Sequence, residues 1–216
     1  MALTDAPVVV IFGHAGHGKD TLANMLAHKL RALGCGVRRL AFAEPIKEVA
    51  NHLLGMPWAV SHGTLDDKNT WTRWGKTARE WLQWLGTEVG RSIHADIWVE
   101  RIADIIKAAD PYDIAIISDG RFHNERTKLG PLCQRSIFAI RIYRPDIPTD
   151  LRHQSERELT EMKDVNWGWT VANRFDLRSP DDKDHPLQQA ADEIVEELLH
   201  QHPSITFNLP VRPKGL

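Results

Sequence analysis

Apolar residues along the 216-residue chain follow two patterns in alternation: short continuous runs, and longer stretches spaced by three and four. The run VVVIF (8–12) ends on Gly13, as a strand buried on both faces does. Leu22, Met25, Leu26, Leu30 and Leu33 then follow helical spacing as far as Gly34. VRRLAFA (37–43) predicts a second strand. Pro45 opens a helix through Ile46, Val49, Ala50 and Leu53, with Gly55 just past its end. Between Met56 and Trp74 the periodicity dissolves into Gly, Asp, Asn and Trp, which predicts a loop. Thr77 and Glu80 have the spacing of a capping box ahead of a helix carrying Trp81, Leu82, Leu85 and Val89. Trp98, Ile102, Ile105, Ile106 and Ala109 trace another helix. DIAIISD (113–119), SIFAIRIYR (136–144) and WTVANRF (169–175) predict strands, and Leu187, Ala191, Ile194 and Leu198 a closing helix. Such alternation gives an α/β fold: a parallel sheet of about five strands with helices on both faces. Two stretches stand outside it, roughly 44–97 and the charged segment after Arg144. The tail PSITFNLPVRPKGL carries three prolines and reads as an extended arm.

Composition narrows the partners. A hydrophobic content of 42% and a charged content of 26% are ordinary for a globular protein. A formal net charge of −2 exerts no general pull on nucleic acid or anionic membrane. Two cysteines, Cys35 and Cys133, make a poor disulfide framework and point to a reducing compartment. The run 8–12 is too short for a signal-peptide core or a membrane span. The expectation is a soluble cytoplasmic protein with neither a membrane nor a nucleic-acid partner. Eight tryptophans are present, and their clustering at 71, 74, 81 and 84 is the one oddity. Trp81 and Trp84 read as packing, whereas Trp71 and Trp74 in a polar loop either close over a base or sit in the subunit contact of a homodimer.

The candidate chemistry starts in GHAGHGKDT (13–21). A strand running through glycines into a helix gathers backbone N–H groups and the positive end of the helix dipole around one point, which cradles phosphate. Gly13, Ala15, Gly16, Gly18, Lys19, Asp20 and Thr21 form the cradle, with Lys19 reaching the outer phosphates. Asp20 stands where Ser or Thr ordinarily ligates Mg²⁺. A carboxylate offers the same cation a charged oxygen, directly or through water. The plain alternative is that Asp20 merely caps the helix. His14 and His17 read as exposed bystanders.

ISDGRF (117–122) adds a strand-end acid, Asp119, suited to Mg²⁺ or its water shell, and Arg121, suited to phosphate. An ordinary strand-end turn would explain Asp119 equally well. Arg79, Arg91, Arg144 and Arg152 lie in the two stretches outside the sheet, and Arg79 shares a helix face with Gln83. Singly, each arginine reads as a solvated surface charge.

The motifs come in a telling order: GxxGxGKDT (13–21), FAEPIKEVANHLLG (42–55), AREWLQWLGTEVGR (78–91), DIWV (96–99), ISDGRFHNE (117–125) and RHQSE (152–156). Together they resemble the phage-type deoxynucleoside monophosphate kinases, P-loop kinases related to adenylate kinase. The resemblance implies a single P-loop kinase domain over 1–216. Its core would be 7–43, 97–143 and 167–202, its monophosphate-binding segment 44–96, its lid 144–166 and its C-terminal arm 203–216. It implies ATP as phosphoryl donor, Mg²⁺ as cofactor and a deoxynucleoside monophosphate as acceptor. Lys19, Arg121, Arg144 and Arg152 would be catalytic. Phe42, Lys47, Arg79, Gln83, Arg91, Asp119 and Arg121 would bind the monophosphate. Arg144, Arg152, Ser155 and Glu156 would belong to the lid, Asn173 would border the adenine of ATP, and Asp20 with Asp119 would serve the metal. Ser155 and Glu158 also have capping-box spacing. Two alternatives stand beside this: a P-loop kinase for another phosphorylated small molecule, such as phosphomevalonate, and a nucleotide-binding regulatory module.

Overall fold

A computed structural model describes residues 6–146, 153–162, 167–174, 182, 185–203 and 205. In chain order the elements are β1 (Val8–Phe12), α1 (Lys19–Ala32), β2 (Val37–Leu40), α2 (Glu44–Leu54), α3 (Trp58–His62), α4 (Leu65–Lys68), α5 (Ala78–Trp84), a π-helical turn (Leu85–Gly90), α6 (Arg91–Ile93), α7 (Ile97–Lys107), β3 (Ile114–Gly120), α8 (His123–Cys133), β4 (Ile137–Tyr143), α9 (Gln154–Glu161), β5 (Trp169–Ala172) and α10 (Pro186–Gln201). They fall into two compact units, Met1–Leu40 with Ala103–Leu216, and Ala41–Ile102.

The first unit holds a five-stranded sheet in the order β2-β3-β1-β4-β5, parallel at every pairing. This is an α/β fold. Central β1, VVVIF, reads as an unbroken apolar run because it is buried on both faces, whereas edge strand β2, VRRL, does not. Val9, Ile11, Ile114, Ile116, Ile140 and Ile142 form one core with Leu22, Leu26 and Leu30 of α1 and Ile194 and Leu198 of α10. Central β1 runs Val8 against Ala115 on one side and Ile137 on the other. Strand order reverses at β1, so a crevice opens beyond its carboxyl end.

The second unit is helical. Ala50, Met56, Ala78 and Leu85 make its small core, with Ile46, Leu54, Trp81 and Val89 packed against it. The capping box is present: Thr77 accepts from the Glu80 amide while the Glu80 carboxylate accepts from the Thr77 amide. The helix then widens into the π-turn. The Gly86 carbonyl accepts from the Trp98 indole at 2.7 Å, and a side chain on Gly90 would collide with that same ring. Widened turns of this kind release carbonyls for other partners.

Several elements differ from expectation. β2 ends at Leu40 rather than running to residue 43. The stretch 56–74 is not a simple loop: it contains α3 and α4, and Trp71 makes an isolated antiparallel bridge to Thr77. The polar helix α8 was not expected, because its sequence HNERTKLGPLC has no apolar periodicity and carries Pro131. Its start is organised by Glu125, 2% exposed, whose Oε2 accepts from the amides of Arg121 at 2.7 Å and Phe122 at 3.0 Å. On α9 the cap is His153, whose ring accepts from the Ser155 amide at 3.2 Å, so Ser155 is inside the helix rather than its cap. Among the described residues no helix is long and apolar enough to cross a membrane.

Candidate active site

The loop from Gly13 to Gly18 leaves β1 and enters α1 at the crevice. Gly13 is required by close approach: a Cβ there would lie 2.5 Å from the Ile142 carbonyl oxygen of β4. Gly16 and Gly18 adopt φ of 76° and 92°, a left-handed conformation that favours glycine. The Asn173 amide donates to the His17 carbonyl at 3.0 Å. Asn173 is thus a buried brace beneath the loop, not an open contact for a base.

Lys19 opens α1 and is buried, with Nζ donating to the His14 carbonyl oxygen at 2.8 Å. Here the lysine folds back along its own loop, over the ground that phosphates take in loops of this kind. His14 and His17 are not exposed bystanders. His17 is 2% exposed, and the two rings meet edge-on with centroids 5.2 Å apart. Burial, then Arg121, Lys19 and Arg141, pull His14 down to about 4. Burial, then His14 and Lys19, pull His17 down to about 4 as well. Both rings are neutral near pH 7, and His14 reaches Glu156 Oε2 through Nδ1 at 2.5 Å.

Asp20 lies on the first turn of α1. Its carboxylate accepts from the Ser118 hydroxyl at 2.6 Å and lies 3.6 Å from the Arg39 guanidinium, while its side chain stays 83% exposed. Arg39 reaches from β2 to Ser118 at 3.0 Å and also to Asn24. Burial disfavours the charge on Arg39, and the carboxylates of Asp20 and Asp119 oppose that effect. Asp119, half-buried near the end of β3, therefore shares an electrostatic neighbourhood with Asp20. Among the described residues no group of three or more His, Cys, Asp or Glu is arranged to hold a metal ion. The donors that meet are the Asp20 carboxylate and the Ser118 hydroxyl, with the Asp119 carboxylate near the same arginine. That set suits Mg²⁺, which takes one or two carboxylates and completes its shell with water and phosphate oxygens.

Arg121, just beyond β3, pairs with Glu156 of α9. Arg144 donates to Asp146 at 2.9 Å, which holds that carboxyl below its usual range. Ser155 and Glu156 are buried. Arg152 lies outside the described residues.

In the helical unit, Arg79 and Gln83 are part-exposed one turn apart on α5, and Arg91 donates to the Ala95 carbonyl at 3.0 Å. Lys47 is 3.1 Å from Glu44, whose other oxygen is 2.7 Å from His62. Phe42 is 3% exposed, an interior residue rather than an open stacking surface. Trp71 and Trp74 rim a cavity of about 360 Å³, walled by Leu54, Met56, Val60 and Arg73, with the Arg73 guanidinium 4.7 Å from the Trp74 ring centroid. Arg39, Ser118, Glu125 and His14 were missed by sequence reasoning. Ser118 carried a faint signal, standing beside Asp119 at a strand end; Arg39 and His14 act through contacts across the fold, and Glu125 through the turn that opens α8.

No protein-family model matches the chain. It is 26% identical to the deoxynucleoside-5′-monophosphate kinase of Escherichia phage T5, with 55% of this chain and 69% of that protein covered. The resemblance carried by GKDT, REWLQWLGTEVGR and DIWV therefore has a curated counterpart. Solved structures with a similar outline include the APS kinase of Mycobacterium tuberculosis, at 13% identity and a TM-score of 0.46 over 90% of this chain and 97% of that one. The shikimate kinase of Acinetobacter baumannii is another, at 12% identity and a TM-score of 0.43 over 93% and 97%.

Proposed function

We propose that the chain is a P-loop phosphotransferase that moves the γ-phosphoryl group of ATP to a deoxynucleoside 5′-monophosphate, giving the diphosphate and ADP. An oxygen of the acceptor's phosphate attacks the γ-phosphorus as the bond to the β,γ-bridging oxygen breaks. Such transfer needs little covalent help, so positioning and charge neutralisation carry it. The loop amides and Lys19 hold the ATP phosphates, and Arg121 draws negative charge from the transferring group. Asp20 and Asp119 would hold Mg²⁺, which when bound neutralises the phosphate oxygens. Arg79, Gln83 and Arg91 hold the acceptor. Arg144 and Arg152, on the segment that includes α9, cover the phosphates and exclude water.

The observation that carries this reading is that the loop leading to Lys19 and Asp20 and the turn carrying Arg121 follow paired strands. Parallel β1 and β3 pair through Phe12 and Gly120, so the glycine loop and the Asp119–Arg121 turn leave the sheet side by side. The phage T5 relative supports the kinase class and suggests the acceptor. The test is ADP release from Mg-ATP with each ribo- and deoxyribonucleoside monophosphate in turn, beside an acceptor-free control. Release stimulated by one or more deoxynucleotides is expected. Stimulation by a different phosphorylated acceptor alone would replace the substrate, and release that no acceptor stimulates would overturn the kinase reading.

A further inference from the structure

We propose that Glu156 is a positioning residue, holding the Arg121 guanidinium against the phosphate loop from α9. The inference rests on the kinase reading above and assigns a role within that site. One carboxylate touches two segments far apart in sequence. Oε2 meets His14 Nδ1 at 2.5 Å across 142 residues, and Oε1 pairs with Arg121 across 35. Glu156 is 3% exposed, so its charge is out of solvent and depends on these partners.

The division of labour follows from charge. His14 is neutral near pH 7, so it orients the carboxylate through a hydrogen bond without cancelling its charge. The carboxylate's other oxygen is left to Arg121. Arg121 is then held at both ends: its amide donates to Glu125 at 2.7 Å, and its guanidinium pairs with Glu156. An arginine side chain has many rotamers, and a fixed fork loses less freedom at the moment of reaction. Thr160, one turn further along α9, adds a hydroxyl 3.4 Å from His14 Nε2 and donates to the Glu156 carbonyl at 2.9 Å. The seating of α9 on the loop and the aim of Arg121 are therefore one event.

The opposite reading is competition, with the carboxylate standing where phosphate would go and weakening its binding. The two differ in sign. Turnover and Mg-ATP affinity would be measured for the full chain and for E156Q, E156D, R121A and E156Q/R121A, each checked for an intact melting transition. E156Q should lower kcat about tenfold with ATP affinity within about threefold, and E156D should recover part of the loss. Adding E156Q to R121A should change kcat by less than about twofold, because the carboxylate acts through that arginine. Mg-ATP bound about fivefold more tightly by E156Q would establish competition and overturn the proposal. An equal loss in both backgrounds would also overturn it, by showing an effect that bypasses Arg121. A wild-type chain that turns over no acceptor would remove the kinase reading and this inference together, whereas an active wild type with independent effects removes the inference alone.

Discussion

The Asn173 amide nitrogen donates to the His17 carbonyl at 3.0 Å and stands 2.5 Å from the point where a Cβ on Gly18 would lie. One side chain thus both supports the phosphate loop and forbids any side chain at its last glycine. Gly18→Ala meets that amide and a φ of 92° together. It should weaken Mg-ATP binding by at least about tenfold, because the loop must shift to make room. Asn173→Ala alone should cost about 1 kcal/mol of stability through the lost hydrogen bond. Combining the two should restore part of the binding lost in Gly18→Ala, since the clash is gone. Titration calorimetry on the four proteins checks this, and strictly additive losses would count against the clash.

Lys19→Ala removes the cation at the mouth of the cradle. Its Nζ donates to the His14 carbonyl at 2.8 Å, and the fold should survive with its melting temperature nearly unchanged. Turnover should fall by about a thousandfold or more, as expected for loss of a charge placed where the transition state gathers negative charge. Normal turnover in a folded Lys19→Ala protein would dismiss the loop as the phosphate site.

Asp20 is tethered by Ser118 at 2.6 Å and approached by Arg39 at 3.6 Å, yet remains largely exposed. Tethering and exposure together suit a residue that meets a cation in water. Asp20→Asn should raise the Mg²⁺ concentration needed for half-maximal turnover by about tenfold, because the charged ligand becomes neutral. Asp20→Ser restores the usual hydroxyl and should recover part of the affinity. Identical Mg²⁺ titrations for all three proteins would leave Asp20 as a helix-end residue only.

The scaffold of the site was legible in the chain, and the contacts that tension it were not. VVVIF, glycine, Lys19 and a three-and-four periodicity specify strand, loop and helix from local pattern alone, and those elements form at β1 and α1. Thr77 and Glu80 signal their own capping box because both partners lie within one turn. Glu156 gives no such signal, since its partners are 142 and 35 residues away. The burial of His17 was hidden for the same reason: it depends on how the loop lies against the rest of the fold. Asn173 was noticed for an adenine edge, but its hydrogen bond runs to the loop backbone. Helix α8 was missed because polar residues and Pro131 blur its periodicity, and its start depends on Glu125 capping two amides from inside the turn.

Arg79 tests the acceptor side. It sits on α5 behind the Thr77–Glu80 cap, a turn from Gln83. If the pair holds a monophosphate, Arg79→Ala should raise KM for the acceptor by about tenfold or more while KM for ATP changes by less than about twofold. Equal changes on both sides would contradict that role.

The two loop histidines set a pH dependence. Each is neutral in the folded chain and titrates near 4 rather than 6.5, chiefly through burial. A histidine whose folded value is depressed contributes stability that is present above its unfolded value and is lost as pH falls from about 6.5 toward 4. Carboxylates also titrate in that window, so the informative quantity is a difference between proteins. His17→Gln cannot gain a proton on folding or unfolding in this range. It should melt below wild type at pH 7, because a well-buried ring is replaced, and the gap should narrow steadily as pH falls to 4. Melting temperatures at half-unit pH intervals decide the matter. A gap that stays constant from pH 7 to pH 4 would mean that His17 titrates alike in the folded and unfolded chain, and that the loop does not exclude its charge.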